Sequence, residues 1–383
     1  MVIQCGIDCV YQYRALFQGR RLGMVTAASA MDADLRPSYL AFHDRFPLEC
    51  IFTPEHGLSG TFGNWESVTE APVEPQTGAA LVSLYENHGA KPIPKVWLDK
   101  LDVIVYDIQD LGTRFYTYIA TMMQVMEDCA GAGIEFIILD RPALLGGEIL
   151  EGSVLREEYR SFVGPYPLPI RYGLTVGELA AMVNEERKLG CNLRVIPCAG
   201  WQRDQMFPDF GSSWVKPSGA IRDFETALLY PGMCLFEATN LSEGRGTGRT
   251  FRLIGAPFLD GQLLSGEMNA LGLPGVEFSP VEFTPISSKF QDQLCRGVEI
   301  HVTDRILFRS VLTGISLLCR ILERYPEQVV FRPSPFGEDP HIHYLTGCDA
   351  FREPVPGVRE IWKRWEAECE AFRAKKIKYH LYP

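Results

Sequence analysis

The chain has 383 residues, a length that predicts two domains, and its 46% hydrophobic content excludes disorder over most of the chain. The net charge of −11 argues against a nucleic-acid-binding protein, because such a protein needs a basic surface. No apolar run approaches the roughly 18 residues of a membrane-spanning helix, and the N-terminus has no basic region before a long apolar stretch, so we expect a cytoplasmic protein without a signal peptide or membrane contact.

Short apolar runs alternate with amphipathic stretches in the first half of the chain. Strands are predicted at 22–26, 49–52, 101–106, 135–139 and 192–197. The third and fourth strands are almost continuously apolar, as in strands that are buried on both faces of a parallel sheet. One helix is predicted at 115–132, and another begins at Thr175, which forms a capping-box match with Glu178, and runs to about Gly190. This alternation predicts a doubly wound α/β domain.

The alternation weakens after a proline-punctuated stretch, and we place a domain boundary near residue 225. Beyond this boundary we predict a strand at 298–302 and a helix at 312–325. A last helix has one apolar face, formed by Ile361, Trp365, Cys369 and Phe372. We therefore predict an α/β domain over residues 1–225 and a smaller α+β domain over residues 226–383.

Polar side chains follow the predicted strands of the first domain. Ligands of open α/β sheets bind outside the carboxyl ends of the strands, so we expect these side chains to line one rim. The charged or polar candidates at this rim are Glu55, His56, Asp107, Asp110, Arg114, Tyr116, Asp140 and Arg141. Glu55 is the strongest candidate, because it lies on a tight turn between Pro54 and His56-Gly57 that a core does not require. Alternatively, Asp107 and Asp110 are helix caps or loop anchors, and Asp140 forms a structural ion pair with Arg141.

A glycine-rich segment of the second domain carries the other candidates: Glu237, Asn240, Ser242, Arg245 and Thr247. Glycines alternate with polar residues between 244 and 248, and such a loop exposes backbone N–H groups that can hold an anion. No Gly-Lys-Ser/Thr follows, so the segment is not a P-loop. Its two arginines favour a carboxylate or a polyhydroxylated ligand, and a flexible connector is the alternative.

The sequence predicts neither a metal nor a cofactor. It has no HExxH motif and no Cys/His grid, and we interpret His341 and His343 as surface histidines on a loop near a proline. It also lacks a GxSxG nucleophile elbow and a dinucleotide-binding GxGxxG motif after its first strand. The 11 scattered cysteines, without a CxxC pair, favour reduced and partly buried thiols.

Several segments together match a known family. They are Pro54–Gly57, Tyr106–Tyr118, Leu139–Pro142 with Gly146 and Gly147, Ser161–Gly164, Gly173–Leu179, Tyr230–Gly232, Glu237–Thr247 and Gly255–Pro257. On these residues the chain resembles the exo-acting β-N-acetylmuramidases of the NamZ type. Those glycoside hydrolases release N-acetylmuramic acid from the non-reducing ends of peptidoglycan fragments. The resemblance spans nearly the whole chain, and the Tyr106–Tyr118 block is highly specific.

The resemblance implies a Rossmann-like domain with a mostly parallel sheet, a smaller C-terminal domain, a cleft between them and no nicotinamide. It implies that Glu55 is the catalytic acid/base. It places pocket residues at His56, Asp107, Asp110, Arg114, Tyr116, Glu237, Asn240, Ser242 and Arg245. We assign Asp107 and Asp110 to catalysis, where either orients water or stabilises positive charge, and we add Asp140 and Thr247 to the substrate-binding set. Arg245 or Arg114 is expected to bind the lactyl carboxylate.

The chain departs from the family pattern by losing polar groups. Ala27 and Ala143 stand where the family usually has Asn, Tyr172 where it has His, and Pro217–Ala220 replaces Pro-Ser-Pro-Asn. We therefore keep three other hypotheses beside the muramidase. They are a non-catalytic protein that binds amino sugars or peptidoglycan fragments, a hydrolase for a related sugar, and a metal-dependent hydrolase of an ester or amide.

Overall fold

The computed structural model describes residues 3–63, 66, 68–352 and 355–383. Its strands are β1 (Leu22–Thr26), β2 (Leu48–Thr53), β3 (Ala80–Ser83), β4 (Tyr85–Glu86), β5 (Gly89–Ala90), β6 (Val103–Asp107), β7 (Glu135–Leu139), β8 (Leu193–Ile196), β9 (Leu253–Ala256), β10 (Val276–Phe283), β11 (Cys295–Val302), β12 (Pro333–Ser334) and β13 (Gly337–Pro340). Its α-helices are α1 (Gly6–Cys9), α2 (Ser38–His43), α3 (Lys95–Leu98), α4 (Tyr118–Ala132), α5 (Val176–Glu186), α6 (Phe224–Met233), α7 (Gly261–Ala270), α8 (Ser310–Arg324), α9 (His341–Thr346) and α10 (Val358–Lys376). Single 3₁₀ segments lie at Val10–Leu16, Glu157–Tyr159, Phe207–Asp209, Cys234–Ala238 and Ile377–Tyr379.

The chain divides into two compact units. Unit 1 comprises Met1–Ile149, Tyr172–Gly219 and Ala374–Pro383, and unit 2 comprises Leu150–Arg171 and Ala220–Arg373. The chain therefore passes from one unit to the other four times, and neither unit is one continuous stretch of sequence. The division into contiguous domains at residue 225 stays a prediction.

Unit 1 contains a six-stranded sheet in the order β3-β2-β1-β6-β7-β8, and every neighbouring pair is parallel. Counted among themselves in chain order, these strands read 3-2-1-4-5-6, which is the order of the doubly wound Rossmann fold. β1, β6 and β7 are buried along their whole length, as their apolar sequences predicted. The predicted fold class is confirmed, and the strand order reverses between β1 and β6.

Local sequence signals explain where the helices of unit 1 begin and end. Thr175 Oγ1 accepts from the N–H of Glu178 at 3.2 Å, and the Glu178 carboxylate accepts from the N–H of Thr175 at 3.0 Å, which confirms the capping box at the start of α5. α5 stops before the predicted residue 190, because Lys188 already adopts a left-handed φ of 53°. α4 ends where expected, at Gly133, whose φ is 69°.

Unit 2 contains an antiparallel sheet in the order β10-β11-β9. The strand predicted at 298–302 is the second half of β11, and the helix predicted at 312–325 is α8. The interpretation of His341 and His343 as surface residues of a loop is wrong. Both lie in α9, which follows Pro340, and their exposed fractions are only 8% and 3%.

All eleven cysteines are free, and all except the half-buried Cys5 are buried, as predicted. Within the described ranges, no helix combines the length and the apolar character that a bilayer crossing needs.

Candidate functional site

Glu55 lies on a strained turn directly after β2. The N–H of Gly57 donates to the carbonyl of Pro54 at 3.1 Å, and His56, the third residue of this turn, has a φ of 74°. A turn with positive φ at this position normally uses glycine, because a side chain there costs energy. Non-glycine residues in such conformations cluster at functional sites, and the tight turn expected from the sequence is confirmed.

Glu70 and Phe62 hold this turn in place. The Glu70 carboxylate accepts from Thr53 Oγ1 and from the N–H of Leu58, both at 2.6 Å. His56 Nδ1 lies 2.8 Å from the carbonyl oxygen of Phe62. The His56 side chain is therefore tied to the loop that follows the turn, and the backbone around Glu55 is fixed at both ends.

The Glu55 side chain is buried, with an exposed fraction of 4%. Thr117 Oγ1 donates to its Oε2 at 2.6 Å. Burial raises the pKa of Tyr116, and the charges of Asp110 and Glu55 raise it further, while hydrogen bonds lower it. Glu55 and Asp110 are therefore both close enough to the Tyr116 phenol to affect its pKa.

Asp110 is a buried carboxyl group with one oxygen held by the protein. Its Oδ2 accepts from the N–H of Gly112 at 2.6 Å and from the hydroxyl of Tyr172. Its Oδ1 is buried and has no hydrogen-bond partner among the residues that the structure describes. Burial raises the pKa of Asp110 to about 6, although the bonds from Tyr172 and Gly112 lower it. This carboxyl group can therefore exchange a proton near neutral pH.

Asp107 has a different environment, because it forms a buried ion pair with Arg141. Arg141 Nε donates to Asp107 Oδ1 at 2.5 Å, and its Nη2 donates to Oδ2 at 2.9 Å and to the carbonyl of Met31. Arg141 thus pairs with Asp107 and not with its sequence neighbour Asp140. Both oxygens of Asp107 are engaged, so its charge is already compensated.

Asp140 anchors the start of α5. Its carboxylate accepts from Thr175 Oγ1 at 2.7 Å, from the N–H of Gly177 at 2.9 Å and from the Tyr382 hydroxyl at 2.5 Å. The side chain is fully buried, and burial raises its pKa to about 6. These contacts indicate a structural role for Asp140. Its assignment to substrate binding stays a prediction.

The remaining candidates of unit 1 lie in the Tyr106–Tyr118 block, where Arg114 is fully buried. The rings of Tyr116 and Tyr118 meet edge to face, with centroids 4.9 Å apart. Sequence reasoning missed Thr117, which contacts Glu55, and Tyr172, which contacts Asp110. Tyr172 was read as a lost polar group, yet its phenol still donates a hydrogen bond.

In unit 2, Arg245 forms ion pairs with two glutamates. Its guanidinium contacts the Glu237 carboxylate and lies 3.2 Å from the Glu243 carboxylate. Lys289 Nζ contacts the other oxygen of Glu243 at 2.9 Å. Two carboxylates therefore face two cations here, and the loop carries no excess of positive charge.

Three other candidates of unit 2 make bonds that shape their own loops. Asn240 bonds through its side-chain amide to the backbone of residues 328 and 330. Thr247 Oγ1 donates to the carbonyl of Gly244 at 2.6 Å. Ser242 is buried and pairs through its backbone with Gly255. Their assignment to substrate binding also stays a prediction.

Comparison with known proteins identifies the family. The N-terminal and C-terminal models of "Exo-beta-N-acetylmuramidase NamZ" match residues 22–225 and 228–382. The chain belongs to the NamZ family. As a NamZ member it is a glycoside hydrolase, and the resemblance noted in its sequence is confirmed.

Individual NamZ-like proteins agree with this membership. The chain is 41% identical to "Peptidoglycan beta-N-acetylmuramidase NamZ" of Bacillus subtilis (strain 168), over 99% of this chain and 91% of that protein. Crystal structures of two DUF1343 family proteins from Bacteroides fragilis NCTC 9343 have similar folds. One has a TM-score of 0.89 at 29% identity and the other 0.76 at 27%, each over 100% of this chain and 99% of that one.

Proposed function

We propose that this protein is an exo-β-N-acetylmuramidase that removes N-acetylmuramic acid from the non-reducing ends of peptidoglycan fragments, with Glu55 as its acid/base. The observation that carries the proposal is the buried Glu55 carboxylate on a strained turn of the unit that also contains the buried Asp110 carboxyl group. The activity named for the B. subtilis relative supports the choice of substrate. The predicted cytoplasmic location, with soluble fragments as substrates, belongs to the same proposal.

Glycoside cleavage needs a proton on the departing oxygen and stabilisation of an oxocarbenium-like transition state. Thr117 donates to Oε2 of Glu55, so the proton that Glu55 transfers would lie on Oε1. The departing sugar oxygen takes this proton as the glycosidic bond breaks. Water then adds to the anomeric carbon and gives up a proton to the Glu55 carboxylate, which restores the acid. The turn of His56 and Gly57 keeps the carboxyl group in position, which limits the cost of orienting it.

The second carboxylate in this mechanism is Asp110 and not Asp107. Arg141 compensates the charge of Asp107, whereas Asp110 keeps an oxygen without a partner among the described residues. An ionised Asp110 would stabilise positive charge at the anomeric carbon or polarise the acetamido group of the substrate. For the lactyl carboxylate we propose Arg114, a buried cation of the same Tyr106–Tyr118 block that contains Asp110.

Turnover of a chromogenic N-acetylmuramide tests this proposal. Glu55→Gln should lower turnover by about 10²- to 10⁴-fold, because the amide cannot supply the proton. The matched control is Glu49→Gln, which changes an exposed carboxylate on β2, the strand before the Glu55 turn, and should leave turnover unchanged. Circular dichroism verifies that both variants are folded.

Three results would contradict the proposal. Full activity of Glu55→Gln would remove Glu55 from the mechanism. If the wild type binds N-acetylmuramic acid tightly but does not cleave the substrate, the hypothesis of a non-catalytic sugar-binding protein is favoured. The apolar residues Ala27 and Ala143 are the reason to test that hypothesis. Loss of wild-type activity with a chelator would favour the metal-dependent hydrolase.

A further inference from the structure

A cavity of about 220 Å³ lies in unit 1 beside the carboxyl ends of three sheet strands. Ser29 follows β1, Gln109 follows β6 and Arg141 follows β7, and all three line the cavity. The strand order reverses between β1 and β6, and ligands of doubly wound sheets bind at this reversal. One lining residue, Gln109, is the sequence neighbour of Asp110, the proposed catalytic carboxyl group.

Aromatic side chains form one wall of the cavity. Phe207, Phe210 and Trp214 all line it. The Phe207 ring lies edge to face against Trp214, with centroids 4.9 Å apart, and against Phe210, with centroids 5.7 Å apart. These contacts hold the rings in fixed orientations. Rigid aromatic surfaces beside a few polar groups suit a ligand that has an apolar face and a polar edge.

The polar groups of the cavity include donors that the protein does not use. Arg141 is buried, with an exposed fraction of 5%, and its Nε and Nη2 bond to Asp107 and Met31. The structure shows no partner for Arg141 Nη1 within the described ranges, so this nitrogen can donate to a ligand. Trp214 Nε1 likewise has no hydrogen-bond partner among the described residues.

The charges around the cavity disfavour an anionic ligand. Asp8 and Asp32 line it, and their carboxylates accept backbone N–H groups. Arg141 also interacts with Asp8, and Arg36 with Asp32. The positive charge of Arg141 is balanced by Asp107. The Cys5 thiol stays neutral, because burial raises its pKa to about 11. The surroundings are therefore net negative and would repel a carboxylate.

We propose that this cavity binds the uncharged N-acetylated sugar that follows the scissile bond on the leaving-group side. The inference rests on the proposed function and adds to it the position of the leaving group. A pyranose ring has an apolar C–H face for the aromatic wall, and the oxygens of its hydroxyl and acetamido groups can accept from Arg141 Nη1 and Trp214 Nε1. N-acetylmuramic acid itself carries a carboxylate and is therefore disfavoured here.

The test compares two substrates that differ only in the leaving group. The disaccharide of N-acetylmuramic acid and N-acetylglucosamine would occupy the cavity, whereas a chromogenic N-acetylmuramide would not place a sugar there. Trp214→Ala should raise KM for the disaccharide roughly tenfold and leave KM for the chromogenic substrate unchanged. The matched control is Trp97→Ala, because Trp97 is also half-buried in unit 1 and does not line this cavity.

A second variant makes the test independent of any packing defect at Trp214. Ser213 is exposed and lines the cavity, so Ser213→Trp should fill the space and raise KM for the disaccharide selectively. Equal effects on both substrates, or an effect on neither, would overturn the inference.

A binding measurement separates this inference from the proposed function. In a calorimetric titration, free N-acetylglucosamine should bind to the wild type, and Ser213→Trp should abolish this binding. At this cavity N-acetylglucosamine should also bind more tightly than N-acetylmuramic acid does. If the wild type cleaves neither substrate but shows this binding, the proposed function fails and the sugar site stands. Without such binding, the site is refuted whatever the activity.

Discussion

The hydrogen bond from Tyr172 to Asp110 should set the lower pH limit of activity. Tyr172→Phe removes a donor that favours the ionised carboxylate, so the pKa of Asp110 should rise above its value of about 6. A hydrogen bond to a charged group is worth about 1.5–3 kcal/mol, and one pKa unit is about 1.4 kcal/mol, so we expect a rise of about one to two units. The pH at which kcat falls on the acid side of its pH profile should rise by the same number of units.

The assay is the pH profile of kcat between pH 4 and pH 9. At pH 7 the variant should turn over roughly two- to tenfold more slowly than the wild type, and it should recover at higher pH, because its carboxyl group is then ionised. Tyr172→His restores a donor and should return the acid-side fall of kcat toward its original pH. Tyr11→Phe, which changes an exposed phenol of unit 1, serves as the control. An unmoved acid-side fall, or a uniform loss at every pH, would refute the role of Asp110 as an ionised group.

Three further predictions concern stability, measured by urea unfolding. Asp110 has a folded-state pKa above the ordinary 3.8, so the stability it contributes is present below pH 3.8 and is lost as the pH rises through about 6. Relative to the wild type, Asp110→Asn should therefore gain about 2 kcal/mol between pH 4 and pH 7, and a pH-independent difference would contradict this sign. Arg141→Met leaves the Asp107 carboxylate buried without its cation and should lower the free energy of unfolding by about 3–5 kcal/mol. A decrease below about 1 kcal/mol would mean that Asp107 takes up a proton or moves. Thr175→Ala removes the cap of α5 and should cost at least about 1 kcal/mol, whereas Thr175→Ser should retain most of the stability.

The parallel sheet was predictable because its buried strands can be recognised from their own apolar sequences. The strands at 22–26 and 135–139 have the observed bounds, since fully buried strands are continuous apolar runs. β10 was missed, because Pro280 and two glutamates interrupt its apolar pattern. α9 was missed because six residues are too few for a helical period to stand out. The burial of His343 was missed because it packs against Tyr159, which is distant in sequence.

The residues of the candidate site could be proposed from the sequence, but their partners could not. A sequence shows which carboxylates follow strands, and Glu55, Asp107 and Asp110 became candidates in this way. It does not show that Arg141 reaches Asp107 across 34 positions, because that pairing depends on the spacing of β6 and β7. Likewise, Tyr172 contacts Asp110 across 62 positions, so its contribution becomes visible only in the fold.

The last ten residues belong to the unit that carries Glu55 and Asp110. Lys376 donates to the carbonyls of Gly147 and Gly173, and the Tyr382 hydroxyl donates to Asp140. A ribosome must therefore translate residue 382 before the Rossmann-like unit can complete its hydrogen bonds, although most of that unit is made much earlier. Purification tags and truncations near residue 383 should for this reason be treated as changes to the catalytic unit.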